Sequence, residues 1–291
     1  MEAYTIKAPA KLNLTLDVLG KRPDGYHDLR MVMQSISLCD TLRIRVSEGG
    51  GIRVRTTEAA LPEGPDNLAF RAAAAFFSAV DRPCPGVEIF IEKKIPFCAG
   101  MAGGSSDAAA VLRALRALFC PELPPAELER IGAGVGSDVP FCVRGGTALA
   151  QGRGEILTDW PPLPACTLVV CKPPFGLSTP ELFHRVDACP DRRRPDPEGM
   201  RRALENEDLP GVAALLCNAF EDVLTAEEAE AVSAIRLRLL EAGALGAAMT
   251  GSGPTVFGIF SGADAAERAA AALTGLGRKI ALAHPLGRNP F

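Results

Sequence analysis

Apolar and polar side chains recur with two different periods along this chain of 291 residues, and each period predicts a different element. Alternation over residues 4–20 predicts one or two strands interrupted near Pro9, since proline cannot donate a hydrogen bond to a sheet. The continuous apolar run 166–172 is typical of a strand that a sheet buries on both faces. Apolar residues at helical spacing predict helices between the strands. The alternation of strands and helices favours an α+β protein of two layers.

The other elements follow from the same periods and from turn residues. Residues 41–46 and 51–55 are expected to pair as a hairpin around the glycines at 49–51. Further strands are predicted at 31–37, 88–93, 147–151, 155–157, on both sides of a turn within 246–260, and at 279–283. Helices are predicted at 65–77, 108–118, 126–131, from 179 onward, and at 197–204, 209–216, 219–224, 227–241 and 263–273.

The length suits one large domain or two of ordinary size. A proline-rich stretch at 160–164 follows the first group of strands and helices. Proline-rich stretches interrupt regular structure, so we predict one domain over residues 1–158 and a second over 159–291.

Composition and charge exclude several classes of protein. The chain is 47% hydrophobic and 23% charged, with a net charge of −4. It can therefore form a large core, and it lacks the basic excess of a nucleic-acid-binding protein. No apolar run is long enough to span a membrane, and the first residues lack the apolar segment of a signal peptide.

The nine cysteines favour neither a disulfide framework nor a zinc site. Their number is odd, no CxxC pair occurs, and the chain has only three histidines. We therefore expect buried thiols in a reducing cytoplasm.

The most distinctive stretch is IPFCAGMAGGSSDAAAVLRALRAL, residues 95–118. A glycine-rich turn leads directly into a helix, whose first turn offers unpaired N–H donors and the positive end of the dipole. This arrangement predicts phosphate binding, although an ordinary tight turn before a capped helix is the simpler alternative. Ser105 or Ser106 is expected to cap the helix, or to turn its hydroxyl toward a phosphate or a magnesium ion.

Two polar groups near the N-terminus are candidates for ligand binding. Lys11 and Asn13 fall on one face of the first predicted strand, and small residues on either side of Lys11 would let a ligand approach. Tyr26 and His27 follow a Pro-Asp-Gly turn, where adjacent rings can grip a planar group by stacking and hydrogen bonding. A solvated lysine and a loop aromatic that packs on the core are the simpler interpretations.

Asp138 is the candidate general base. It precedes the apolar run 139–143 and so lies at the edge of a core, where a partly desolvated carboxylate can accept a proton. A plain cap or turn aspartate is the alternative.

Several of these motifs together resemble the GHMP kinases. PFCAGMAGGSSDAA is similar to their phosphate loop, and GAAMTGSGPTVF is similar to their third motif. The segments APAKLNLTLDVLGKRPDGYHDL, GSDVPF and STPELF resemble one GHMP subfamily whose substrate is a cytidine diphosphate sugar alcohol.

The resemblance implies an N-terminal nucleotide-binding domain, a C-terminal ferredoxin-like domain and an active site in the cleft between them. It implies transfer of a phosphoryl group from ATP, with Mg²⁺, to a hydroxyl of the small-molecule substrate. No nucleic-acid or membrane partner is expected, and the chain is predicted to be a monomer or a weak homodimer.

The resemblance also implies roles for individual residues. Lys11 and Asp138 would be catalytic, with Asp138 also contacting the substrate. The substrate would further contact Asn13, Tyr26, His27, Thr179 and Phe183, where Tyr26 and Phe183 form the two walls of a cytosine sandwich. The nucleotide would contact Asn67, Lys93, Pro96, Ala99, Gly100, Met101, Ala102, Gly103, Gly104, Ser105 and Ser106, with Ser106 also a candidate metal ligand.

One departure and two alternatives accompany the resemblance. Some relatives carry glycine where this chain has Ala102, which fits if that position avoids a positive φ. Another GHMP kinase, of mevalonate or homoserine type, is the first alternative. A catalytically silent binding protein on the same fold is the second.

Overall fold

The computed structural model describes residues 3–47 and 49–290, so the predicted domain ends at residues 1 and 291 lie outside the described residues. The strands are β1 (Tyr4–Lys21), β2 (His27–Val46), β3 (Ile52–Thr56), β4 (Val87–Glu92), β5 (Thr147–Gly152), β6 (Ile156–Asp159), β7 (Thr167–Lys172), β8 (Cys217–Asn218), β9 (Gly246–Met249), β10 (Val256–Phe260) and β11 (Lys279–Ala283). The helices are α1 (Leu68–Ala79), α2 (Gly103–Phe119), α3 (Pro125–Ala133), α4 (Val139–Arg144), α5 (Thr179–Asp187), α6 (Pro197–Glu205), α7 (Leu209–Ala214), α8 (Ala226–Glu241) and α9 (Ala263–Ala272), with a 3₁₀ helix at Ala219–Val223.

The first sheet is organised around the long strand β2. Strand β1 pairs antiparallel with β2 over almost its full length, while β5 pairs with the start of β2 and β4 with its end. The register shifts between Pro9 and Lys11, which is the predicted interruption, in the form of a β-bulge. The side chains of α1, α2, α3 and α4 join those of this sheet in one apolar core.

The second sheet has the strand order β11-β7-β10-β9, and all neighbouring strands are antiparallel. Numbered along the chain from β7, the order is 4-1-3-2, which is that of a βαββαβ ferredoxin-like unit. Strand β7 is central and every one of its residues is buried, as the continuous apolar run predicted. The α+β fold with a ferredoxin-like C-terminal half is thus confirmed.

Both strand pairing and the C-terminal tail connect the two halves. The short strand β8 pairs in parallel with β1 at Thr15 and Leu16, so a C-terminal segment completes the first sheet. The C-terminal tail returns to β2, where the Gln34 amide donates to the Leu286 carbonyl at 2.9 Å. The predicted boundary after residue 158 remains a prediction.

The hairpin predicted for residues 41–46 and 51–55 is wrong. Strand β4 lies between β2 and β3, antiparallel to the former and parallel to the latter. The apolar residues of β4 that alternate in sequence, Val87, Ile89 and Ile91, are all buried, so β4 suits an inner position. The exposed arginines of β3 suit a sheet edge.

The start of α2 also differs from the prediction. Neither Ser105 nor Ser106 is the N-cap, because the helix already begins at Gly103 and its N-cap is Ala102. Ala102 has φ 57° and ψ 32°, the left-handed conformation. Alanine was expected to fit only without a positive φ, so this position carries backbone strain that glycine would not.

The other predicted helices and strands lie close to their predicted positions, but 31–37 and 41–46 are parts of one strand, β2, and neither α4 nor β8 was predicted. Asn67 caps α1 through its side chain, and the predicted helix at 219–224 is a 3₁₀ helix. None of the helices described is both long and apolar enough to traverse a lipid bilayer.

We expect Ala102→Gly to stabilise the fold by about 1 kcal/mol, because it removes the steric cost of a left-handed alanine. The measurement is the free energy of unfolding from denaturant titration. Ala99→Gly is the matched control, since Ala99 is buried and has no positive φ. That variant should be destabilised, and a destabilised Ala102→Gly would contradict the assignment of strain.

Candidate active site

A cleft of about 950 Å³ lies between the two halves of the molecule. The N-terminal half contributes the start of α2, Lys11 from β1, and Ser137 and Asp138, which precede α4. The C-terminal half contributes Thr179, Phe183 and Asp187 from α5 and Gly251 from the turn between β9 and β10.

The floor of the cleft is formed by two glycine turns in backbone contact. A Cβ on Gly100 would lie 2.2 Å from the Thr250 carbonyl oxygen, and a Cβ on Gly251 would lie 2.4 Å from the Gly100 oxygen. Only glycine allows this approach, and Gly100 also has φ 69°. The third motif therefore packs directly against the phosphate loop.

The start of α2 faces the cleft without a side-chain cap. Its first turn contains no acidic residue, and Gly103, Gly104 and Ser105 line the cleft. The free N–H groups and the helix dipole make this end a site for an anion. Ser106, in contrast, is buried, and its hydroxyl donates to the Pro9 carbonyl at 2.6 Å. The structure thus brings Ser105 to the cleft and not Ser106.

Lys11 and Asp138 meet at the cleft. The Lys11 Nζ lies 4.0 Å from Asp138 Oδ2, and the side chains are 5% and 30% exposed. Lys11 Nζ also donates to Asn13 Oδ1 at 2.6 Å. Asp138 precedes α4 but makes no side-chain capping hydrogen bond, so its carboxylate is not used as a cap.

Lys93 is held beneath the phosphate loop by two carboxylates. Its Nζ lies 2.5 Å from Asp40 Oδ2 and 2.6 Å from Asp107 Oδ2. Asp40 also accepts from the Lys94 and Ile95 backbone N–H groups. Burial opposes a charged Lys93, yet the charges of Asp107 and Asp40 outweigh it and raise the pKa of Lys93.

Asp107 is the less well satisfied carboxylate of this cluster. Its Oδ1 is buried and has no hydrogen-bond partner among the described residues. Burial raises the pKa of Asp107 to about 7, against the opposing charge of Lys93 and with the help of the negative charge of Asp40.

Aromatic rings form the other end of the cleft. The rings of His27 and Phe183 stack with their centroids 4.5 Å apart and an angle of 13°. Phe183 also contacts the ring of Phe220 edge-on. Tyr26 is 54% exposed, and the guanidinium of Arg153 lies 4.9 Å from its ring centroid. In the structure Phe183 thus stacks on His27, and the pairing of Tyr26 and Phe183 around a cytosine stays a prediction.

Most predicted site residues line this one cleft. They are Lys11, Tyr26, His27, Asn67, Lys93, Pro96, Ala99, Gly100, Met101, Ala102, Gly103, Gly104, Ser105, Asp138, Thr179 and Phe183. Asn13 lies beneath the surface, behind Lys11, and Ser106 faces Pro9. Asn67 caps α1 by accepting from Ala69 N–H, and it also lines the cleft.

Among the cleft residues that the sequence analysis did not single out are Arg153, Asp107 and Asp187. Arg153 lies in a Gly-Arg-Gly sequence. The two glycines indicate a turn, but they do not indicate a role for the arginine side chain. Asp107 lies in the motif GGSSDAA, where the sequence indicates only the start of a helix. Asp187 follows Phe183 by one helical turn, and this spacing is the signal by which it could have been found.

Stability should fall as the pH rises from about 4 to about 7, because the folded protein binds the Asp107 proton more tightly than the unfolded chain does. Asp107→Asn has no such proton to lose. Between about pH 4 and about pH 7 its free energy of unfolding should therefore decline less than that of the unmodified protein. Exposed Asp191→Asn is the control and should keep the original slope. Equal slopes for all three proteins would contradict this assignment.

Comparison with known proteins agrees with this geometry. A model of the GHMP kinases N terminal domain matches residues 67–146, and a model of the GHMP kinases C terminal domain matches residues 200–279. The chain is 48% identical over 277 residues to the 4-diphosphocytidyl-2-C-methyl-D-erythritol kinase of Moorella thermoacetica, covering 94% of this chain and 95% of the relative. It is also 48% identical over 267 residues to the protein of that name from Pelotomaculum thermopropionicum, covering 92% of each.

A solved structure shows the same similarity. The crystal structure of a 4-(cytidine 5'-diphospho)-2C-methyl-D-erythritol kinase superposes with a TM-score of 0.82 at 36% identity, covering 98% of this chain and all of the other. The identity and coverage are high enough to establish the family. The chain therefore belongs to the GHMP kinases and, within them, to the 4-diphosphocytidyl-2-C-methyl-D-erythritol kinases.

Proposed function

We propose that this chain transfers the γ-phosphoryl group of ATP to the 2-hydroxyl of 4-diphosphocytidyl-2-C-methyl-D-erythritol, giving the 2-phosphate and ADP. This step belongs to the mevalonate-independent route to isopentenyl diphosphate. The observation that carries the proposal is the placement of the Lys11–Asp138 pair in a cleft with an anion site and an aromatic pocket. Family membership at 48% identity supports the same reaction.

Asp138 is the proposed general base. Its carboxylate makes no capping bond and is partly exposed to the cleft, so it can receive the proton of the substrate hydroxyl. The ammonium of Lys11 lies 4.0 Å from this carboxylate. Asn13 Oδ1 orients that ammonium from behind. Lys11 also neutralises charge on the transferred group. Such charge neutralisation, together with positioning, is the main way in which proteins catalyse phosphoryl transfer.

The phosphates are proposed to lie against the free N–H groups at the start of α2, over Gly103, Gly104 and Ser105. Lys93 adds one positive charge below the loop, although Asp40 and Asp107 already neutralise it. It is therefore expected to position the loop more than to attract the phosphates.

Magnesium is expected to accompany the nucleotide. Among the described residues no three His, Cys, Asp or Glu side chains are arranged to hold a metal ion by themselves. Mg²⁺ commonly takes one or two protein oxygens beside substrate phosphates and water, and the Ser105 hydroxyl, at the start of α2 in the cleft, fits that requirement. When bound, the ion would shield the negative charge of the phosphates. The placement of Ser106 against Pro9 makes Ser105 the better candidate of the two serines.

The aromatic end is proposed to bind the cytosine. Tyr26 offers an exposed ring, and the stacked His27 and Phe183 form a second surface. Arg153, which lies over Tyr26, is placed to offset the charge of the substrate diphosphate. Mevalonate and homoserine contain no base that could stack in this pocket, so the cytidine compound is the favoured substrate.

Assembly and location stay predictions. A monomer or weak homodimer remains the expected state. The cytoplasmic location is supported by the nine cysteines, which are all free thiols, as a reducing compartment would keep them.

The proposed function is tested by ADP release from the purified protein with Mg-ATP. The substrates 4-diphosphocytidyl-2-C-methyl-D-erythritol, mevalonate and homoserine are offered separately. Turnover with the cytidine compound alone is expected. Turnover with mevalonate or homoserine would overturn the assignment of the aromatic pocket, and binding of ATP without turnover on any substrate would favour a silent binding protein.

Asp138→Asn should lower kcat by roughly 10²–10⁴-fold with little change in KM, because it removes the base but keeps the shape of the side chain. Steady-state kinetics measure both constants. Nucleotide binding by calorimetry is the control for an intact cleft. A variant that keeps nearly full turnover would exclude Asp138 from this role.

Tyr26→Ala should raise the KM for the cytidine substrate about tenfold while kcat changes little, because it removes stacking present in both ground and transition states. Tyr26→Phe, which keeps the ring, is the matched control and should stay near the original KM. If Tyr26→Ala left KM unchanged, the ring would have no part in binding the base.

A further inference from the structure

The His27 imidazole is held from two directions by one helix. Phe183 stacks on its face, at 4.5 Å and 13°, and Asp187 Oδ1 lies 2.8 Å from its Nε2. The His27 side chain is 7% exposed and that of Asp187 is 31% exposed. The contact joins residues 160 positions apart in the chain, so it connects the start of β2 with the C-terminal half.

The spacing of the two holding residues explains the arrangement. Phe183 and Asp187 are four positions apart on α5, so their side chains lie on the same face of the helix. The helix is itself fixed at its start, where the Thr179 hydroxyl donates to Ser252 at 2.8 Å, and Phe183 rests on the edge of Phe220. The ring of His27 therefore has a defined plane and a defined rotation.

The Asp187 contact also determines which nitrogen carries the proton. An ionised carboxylate can only accept a hydrogen bond, so the hydrogen between the two groups belongs to His27 Nε2. In a neutral imidazole the other nitrogen, Nδ1, then holds a lone pair. No described residue forms a hydrogen bond with Nδ1. This nitrogen is left for a ligand in the cleft that His27 lines.

We propose that Asp187 is a positioning residue that keeps the proton of His27 on Nε2 and presents the Nδ1 lone pair to the amino group of the substrate's cytosine. This inference rests on the proposed function, and it extends that function by assigning base recognition to a pair of residues contributed by both halves of the chain. Cytosine carries an amino donor where uracil carries a carbonyl acceptor. An acceptor fixed at that position therefore favours the cytidine compound over its uridine counterpart.

The first test is nitrogen NMR of the imidazoles in the free protein at about pH 8, above the ordinary titration of histidine. The three histidines are assigned with His184→Gln and His284→Gln variants. His27 should show the hydrogen on Nε2, and Asp187→Ala should shift the population toward the Nδ1–H form. A wild-type His27 with its hydrogen on Nδ1 would overturn the proposal whatever the enzyme's substrate.

The second test is kinetic. Asp187→Ala should raise the KM for the cytidine substrate about tenfold, as expected for the loss of one charged hydrogen bond, with kcat nearly unchanged. Asp187→Ala should also lower the ratio of kcat/KM for the cytidine compound to kcat/KM for its uridine counterpart. Asp187→Glu, which keeps a carboxylate, should recover part of the affinity, and exposed Asp191→Asn should behave as the original protein. An unchanged KM in Asp187→Ala would reject the role. An Asp187→Glu variant whose KM rises as much as that of Asp187→Ala would also reject it.

The two tests separate this inference from the proposed function. If no substrate containing cytidine is turned over, the function fails while the NMR result still reports on the His27–Asp187 pair. If turnover is normal but the tautomer of His27 does not depend on Asp187, the function stands and the positioning role is lost.

Discussion

The backbone contact between the turn at Gly100 and the turn at 250–253 is the constraint on which the active site depends. Each turn approaches the other so closely that a Cβ would collide with a backbone oxygen. One turn precedes the helix whose N–H groups face the cleft, and the other joins two strands of the C-terminal sheet. Their contact therefore sets the position of the anion site relative to α5, which holds the aromatic end.

Charge in the cleft is arranged in pairs that are buried to different depths. Lys93 lies below the loop, where Asp40 and Asp107 both pair with its ammonium and neutralise it. Lys11 lies against Asn13, and its carboxylate partner Asp138 is at 4.0 Å and partly exposed. A buried ion pair holds its partners in place, because separating them would leave an uncompensated charge. A looser pair facing the cleft leaves both groups free to act on a ligand.

The errors made from the sequence have physical causes. A hairpin of 41–46 with 51–55 was favoured because the two segments are neighbours in the chain, but β4 buries Val87, Ile89 and Ile91 by lying between them. A serine cap was expected for α2 because serine is a common N-cap. The helix begins earlier, at a strained Ala102, which leaves the N–H groups of its first turn uncapped. A loop that must leave donors free for a ligand departs from the usual capping rules.

The sequence by itself determined the type and order of most elements, the glycine turns and the identity of the paired groups Lys11 and Asp138. These depend on local periodicity, on backbone conformations that only glycine adopts and on motifs whose residues are close together in the chain. Only the tertiary structure decided that β4 separates β2 from β3, that Ser106 faces Pro9, and that Asp187 reaches His27 from 160 positions away. Such contacts depend on how whole elements pack. The periodicity of a segment shows which of its faces is buried, but it does not show which distant residue a side chain contacts.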